Sequence, residues 1–246
     1  MINYITIIIL NFFDYFYKKK ISNFIKKEKL DKINVFFDVG GHKGESIDFF
    51  LKNLKIKNIY SFEASPINFD KLNKKISVYK KRFKETNIYI ENIALGSEVK
   101  KATLKQFNES SSSTFSEIDE NSSYFKKKHR FLNRRKKKNF YENIDISIYP
   151  LADYLIKKKI LDVDFLKIDT EGYELDILKG LKNDIKKIKI IFFEHHYDNM
   201  IKKNYKFRDI HSLLVNNRFK KIYKSKMPFR KTFEYMYINE LFDGNR

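Results

Sequence analysis

The stretch with the most chemical content is Asp38-Val39-Gly40-Gly41-His42-Lys43-Gly44, which falls where strand-forming residues give way to a helical stripe. Glycine at such a junction lets a ligand approach the backbone closely, and the following helix N-terminus offers unpaired N–H groups. The dinucleotide fingerprint G-x-G-x-x-G would need Gly at 40, 42 and 45, but His42 and Glu45 stand at the last two. A carboxylate just ahead of the turn, Asp38, would repel a pyrophosphate. It suits a positively charged or zwitterionic nucleotide, and the amino-acid moiety and sulfonium of S-adenosylmethionine fit that field. Glu63, 19 residues past Gly44 at the end of the next apolar run, can accept both hydroxyls of a ribose.

A second group of reactive residues ends two later apolar runs, in Ile168-Asp169-Thr170-Glu171-Gly172 and Glu194-His195-His196. Ligands of open α/β sheets bind beyond the carboxyl ends of the strands, so these residues are expected to converge. Group transfer at such a site needs a close approach of the reacting atoms and a base to receive any proton released. His195, titratable near neutrality, is expected to be that base, with Glu194 or Asp169 orienting it and Glu171 in the same wall. His196 and His211 are read as surface or packing residues. Asp169, Glu171, Glu194 and His195 could instead hold Mg²⁺ or Mn²⁺, but no spacing here is diagnostic and no metal ligands are assigned.

Strands and helices alternate around these groups. Apolar runs at 33–39, 58–63, 88–93, 163–169 and 188–194 read as strands, and strands near 219–224 and 232–239 close the chain. Helical stripes follow: Ile47, Phe50, Leu51 and Leu54; then Phe69, Leu72, Ile76 and Tyr79 behind a Ser65 cap and Pro66. Further helices are expected around 151–159, at Leu175, Leu178 and Leu181, and at Phe207, Ile210, Leu213 and Leu214. Such alternation means a mostly parallel sheet covered on both faces, here with an antiparallel edge. Residues 105–143 read as a polar, basic insertion, and Gly180 as a helix-ending glycine.

Composition sets the outer bounds. The 246 residues, 42% hydrophobic and 16% aromatic, suit one α/β domain, 33–246, preceded by an apolar helix and basic linker at 1–32. The absence of Cys excludes disulfides, thiolate metal sites and a Cys nucleophile. The net charge is +20, yet only eight of the 51 basic residues are Arg, and Ile, Asn, Phe and Tyr are abundant, as low-GC coding produces. A nucleic-acid partner is therefore not expected. Residues 1–17 are short for a membrane span and lack the flanks of a secretory signal. They are read as packing on the domain, with peripheral membrane contact through residues 1–20 as the alternative. The expected location is cytoplasmic, free or peripheral to the inner membrane.

With these motifs in place, the chain resembles the FkbM family of S-adenosylmethionine-dependent methyltransferases. The likeness runs through FFDVGGHKGES (36–46), SFEASPINFDKL (61–72), NIALG (92–96), SSSS (110–113), FLKIDTEGYELDILKG (165–180) and FFEHH (192–196). It implies a class I methyltransferase sheet, Rossmann-like, of order 3-2-1-4-5-7-6 with strand 7 antiparallel. It also implies methyl transfer to a hydroxyl, often of a saccharide or glycan-linked small molecule. By position, Asp38, Gly40, Gly41 and Gly44 would hold the methionine end of the cofactor and Glu63 the ribose. Asn92 and Ala94 would lie near the adenine, and Ser113 at the mouth. Asp153 stands one position off the family's Leu-Asp pair and receives no role. The competing readings are a nucleic-acid-associated protein and an inactive, membrane-tethered scaffold of glycan assembly. Basic residues 126–138 would gate the site or meet an anionic acceptor.

Overall fold

The computed structural model describes residues 16–107, 113–123, 125–126 and 141–245. The apolar stretch 1–15, the serines 110–112 and the basic residues 127–138 lie outside the described residues. In chain order the strands are β1 (Lys32–Val39), β2 (Lys55–Phe62), β3 (Asn87–Glu91), β4 (Ala94–Gly96), β5 (Lys100–Phe107), β6 (Ser113–Thr114), β7 (Glu117–Ile118) and β8 (Tyr141–Pro150). Then come β9 (Val163–Ile168), β10 (Ile188–His196), β11 (Ile201–Lys202), β12 (Phe219–Lys226) and β13 (Thr232–Asn239).

The main sheet has the order β12-β13-β10-β9-β1-β2-β3. Its pairs β1–β2, β2–β3, β1–β9 and β9–β10 are parallel, while β13 runs antiparallel to both β10 and β12. Numbered within this sheet, the order is the expected 3-2-1-4-5-7-6. Side-chain alternation along each strand builds a core on either face. Phe37, Leu166, Phe193 and Tyr235 face the helices Leu151–Lys157, Glu174–Lys179 and Phe207–Asn216. Phe36, Phe165, Phe192 and Met236 face the helices Glu45–Asn53 and Pro66–Arg82.

A helix over 16–27 joins this second face. Tyr17, Ile21 and Ile25 are buried there, Phe24 lies 4.7 Å from the Tyr223 ring, and the Tyr17 hydroxyl donates to Ser225 O at 3.2 Å. Burial of such side chains contributes roughly 2 kcal/mol each, so this segment is integral to the sheet's covering layer. No helix among the described residues is long and apolar enough to cross a membrane.

One local expectation changes. The proposed insertion begins and ends inside a second sheet, of order β4-β8-β5-β6, in which β5 pairs antiparallel with β8 from Lys100↔Ile148 to Phe107↔Tyr141. Lys100, Lys101 and Lys105 hide β5 in a reading of hydrophobic pattern. Gly180 ends the helix Glu174–Lys179 as expected, and a Cβ there would stand 1.9 Å from Gly96 O, so the glycine also permits contact between β4 and that helix.

Candidate active site

At the carboxyl end of the main sheet lies a cleft of about 500 Å³. One end is the turn after β1. The N–H groups of Gly40 and Gly41 donate to Phe62 O at 2.9 and 3.0 Å, which ties the turn to the end of β2. Gly40 has φ +85°, and a Cβ there would stand 1.9 Å from Asp169 O. Gly44 closes the turn through its N–H to Gly41 O at 2.9 Å and starts the helix Glu45–Asn53.

Glu63 locks the same turn. Its Oε2 accepts the His42 N–H at 2.7 Å and its Oε1 the Ser65 N–H at 2.9 Å. The carboxyl lines the cleft, and burial raises its pKa above the usual range despite these bonds and the nearby His42. Asn92 has a different task from the one expected: its side-chain amide donates to Glu63 O at 2.8 Å and clamps the chain leaving β2. Ile93 and Ala94 line the cleft beside it, as does Ser113, whose buried Oγ has no hydrogen-bond partner among the described residues.

Asp38 is a correction. Its charge was expected to face the ligand, but it is fully buried under the turn. Oδ1 accepts from Lys167 Nζ at 3.0 Å and Oδ2 from the Ser61 hydroxyl at 3.2 Å. Lys167 also lies 3.4 Å from Asp169. Burial opposes the charge on Lys167, but Asp38 and Asp169 outweigh it and raise the pKa well above the usual lysine value. A lysine inside the apolar run of β9 was the sequence signal for this partner, since a buried ammonium must be paired.

Asp169, Glu171 and Glu194 line the same cleft. The turn carrying Asp169 and Glu171 is held by Glu174, which the sequence reading left without a role. Glu174 is fully buried and accepts from Gly172 N–H at 3.0 Å, from the Thr170 hydroxyl at 3.3 Å and from the Tyr205 hydroxyl. Thr114 adds a hydrogen bond to Glu171 O at 2.7 Å, which brings the second sheet onto this turn.

His195 and His196 exchange their expected places. Neighbours on a strand face opposite sides, and it is Glu194 that shares the cleft side with Phe192. His195 follows Phe193 to the other face, 3% exposed, in a nest of aromatic rings from Tyr197, Tyr205 and Phe207. Burial, aided by Lys203 and His196, lowers its pKa to about 3. It is a neutral packing group and not the base. His196 lies on the cleft side, 3.2 Å from Glu171 and 3.9 Å from Glu194. Burial works against its charge, but Glu171, Asp198 and Glu194 prevail and raise its pKa to about 10. Among the described residues, no group of three or more His, Asp or Glu is arranged to hold a metal ion.

Comparison with known proteins bears on the family and the fold. Residues 38–221 match the family model of the methyltransferase FkbM domain. A search of curated proteins finds no match. Among solved structures, the chain is similar to methyltransferase FkbM from Methylobacillus flagellatus KT, with 16% identity and TM-score 0.54 over 85% of this chain and 44% of that one. It is also similar to magnesium protoporphyrin IX methyltransferase (ChlM) from Synechocystis PCC 6803 with bound SAH, with 7% identity and TM-score 0.52 over 94% and 85% of the two chains. The chain thus spans less than half the length of the first of these structures. At such identities the likeness is one of fold, that of Rossmann-like class I methyltransferases.

Proposed function

Because the chain belongs to the FkbM methyltransferase family, we propose that it transfers a methyl group from S-adenosylmethionine to a hydroxyl oxygen of a saccharide or glycan-related small molecule. The observation that carries this reading is one cleft lined by two chemically different sets of residues: the Gly40 turn with Glu63, and the carboxylates Asp169, Glu171 and Glu194.

The first set fits the cofactor. Gly40 lets the turn pack directly against Asp169 O, where any Cβ would collide, Glu63 offers carboxylate lone pairs to a ribose, and the buried Ser113 hydroxyl has no partner among the described residues. Glu63 would therefore hold the ribose, Ile93 and Ala94 would wall the adenine, and the Gly40 turn would receive the methionine end. Asp38 would act from beneath by fixing the turn. When bound, S-adenosylmethionine supplies a methyl group on a sulfonium, which an oxygen displaces while the carbon–sulfur electron pair stays on sulfur.

The second set then orients the acceptor and takes its proton. Glu194 assumes the role first expected of His195, because its carboxyl lines the cleft while His195 turns to the opposite face of the sheet. The acidic wall disfavours a phosphate-rich acceptor, and a cleft of about 500 Å³ suits a small molecule. Tritiated-methyl transfer to saccharide and lipid-linked glycan extracts of the source cell tests the reading. Label is expected in methylated sugars. Label confined to RNA, or none anywhere, would contradict it.

A further inference from the structure

Glu234 lies on β13 directly opposite Glu194 of β10, in antiparallel register and so on the same face of the sheet. Both residues line the cleft. Glu234 is 5% exposed, and its Oε2 has no hydrogen-bond partner among the described residues. Side chains directly opposite on antiparallel strands stand about 4.5–5.5 Å apart at Cβ, so the two carboxyl groups are neighbours. A buried carboxyl oxygen without a partner is costly unless something else occupies the site.

Lys167 and Lys18 act on Glu234, and His196 acts on Glu194. Asp169 and Glu171 add negative charge to the same wall. Lys167 is engaged by Asp38 and Asp169, and His196 stands between Glu171 and Glu194. The helix over 16–27 brings Tyr17 and Lys18 to the cleft, and Arg230 and Met227 line it from the approach to β13. The Tyr17 hydroxyl lies between Ser225 O, to which it donates at 3.2 Å, and the Glu234 carboxyl, and Tyr223 of β12 completes the surroundings.

We propose that Glu194 and Glu234 form a carboxyl pair that holds one proton between them, and that this pair grips the acceptor and takes its hydroxyl proton during methyl transfer. The inference rests on the hydroxyl-acceptor reading and deepens it. The pair offers one O–H donor and one carboxylate acceptor side by side, which matches a vicinal diol, two adjacent hydroxyls of a sugar ring. In the step, the acceptor oxygen bonds to the methyl carbon, and the carbon–sulfur bond breaks with its electrons left on sulfur. The O–H proton moves to the ionised carboxylate and is then released to water.

Electrostatics agrees with the geometry. Burial raises Glu234 foremost; Tyr17 opposes it and Asp169 reinforces it, and the pKa settles at about 8. Burial, then Asp169 and Glu234, raise Glu194 well above the usual carboxylate range. Two carboxylates held this close do not both ionise readily.

Infrared spectroscopy at pH 7 tests the pairing without any acceptor. The expected result is one carboxylic-acid absorption that shifts in both Glu194→Gln and Glu234→Gln, because each change replaces a partner in the shared-proton hydrogen bond. Variants that each lose a separate absorption, or that leave it unshifted, would overturn the pairing. A thermal shift with S-adenosylhomocysteine, unchanged from wild type, shows that each variant folds and keeps the cofactor end.

Methyl transfer to the saccharide extract supplies the second arm, with Glu234→Gln expected to lose about a hundredfold in turnover. If Glu234→Gln labels sugars as well as wild type does, the pair's role falls while the methyltransferase reading stands. If the wild type labels no saccharide, the hydroxyl-acceptor reading and the pair's part in it fall together, and the infrared pattern still decides the pairing.

Discussion

At one end of the cleft the contacts are made by backbone. Gly40 and Gly41 donate to Phe62 O, and His42 and Ser65 donate to Glu63, all within one βαβ unit. At the other end the contacts are made by side chains brought from β9, β10, β13 and the helix over 16–27, which are far apart in the chain. The first construction depends on a few glycines and one carboxylate. The second depends on which face each strand residue takes and on a balance of buried charges. Substitutions should therefore separate the two ends cleanly, with cofactor affinity following the first and turnover following the second.

The largest effect is expected from Glu194→Gln, which should lower turnover by about 10²–10⁴-fold while leaving S-adenosylhomocysteine affinity unchanged. Steady-state kinetics beside calorimetry would check this, and a parallel loss of affinity would blur the distinction between the ends. Lys167→Met should follow. It strips the cation from buried Asp38, and losing one partner of a buried pair costs about 3–5 kcal/mol, measurable by denaturant unfolding. A cost below about 1 kcal/mol would mean that Asp38 does not depend on Lys167.

The two adjacent histidines give a smaller effect with opposite signs. The pKa of His195 is lowered on folding to about 3, so its contribution is present above its unfolded value and is lost as pH falls. At about 1.4 kcal/mol per pH unit below about 6.5, wild type should lose about 2 kcal/mol relative to His195→Phe by pH 5. The pKa of His196 is raised to about 10, so its contribution is full below its unfolded value and is lost as pH rises toward 10. Relative to His196→Gln, wild type should lose about 2 kcal/mol by pH 8. Denaturant unfolding across pH would check both, and matching slopes would contradict the assignment of the pair to opposite faces. The smallest effect is on turnover in His195→Phe, expected to stay within about twofold of wild type because the ring lies away from the cleft. A large loss there would return the base to His195.

Local patterns made the fold and the cofactor end legible. The alternation of apolar runs and helical stripes fixes the strand sequence, and Gly40 and Glu63 carry their roles within a short stretch. The acceptor end resisted for physical reasons. The run Ile190–Phe193 is apolar on both faces, so it does not reveal which of His195 and His196 turns to the cleft. A one-residue slip in parity exchanges them. Glu234 sits in a strand dominated by aromatic residues, and only the pairing of β13 with β10 brings it opposite Glu194. Asp38 misled because its neutralising partner, Lys167, comes from a strand distant in sequence.

The central claim is that the Gly40 turn and Glu63 bind S-adenosylmethionine, and isothermal titration of wild type and Glu63→Ala with its product S-adenosylhomocysteine tests it most directly. The account predicts clear heat of binding for wild type and a loss of about a hundredfold or more in affinity for Glu63→Ala, as expected when hydrogen bonds to a charged group are removed. No binding by wild type, or equal binding by the variant, would contradict it.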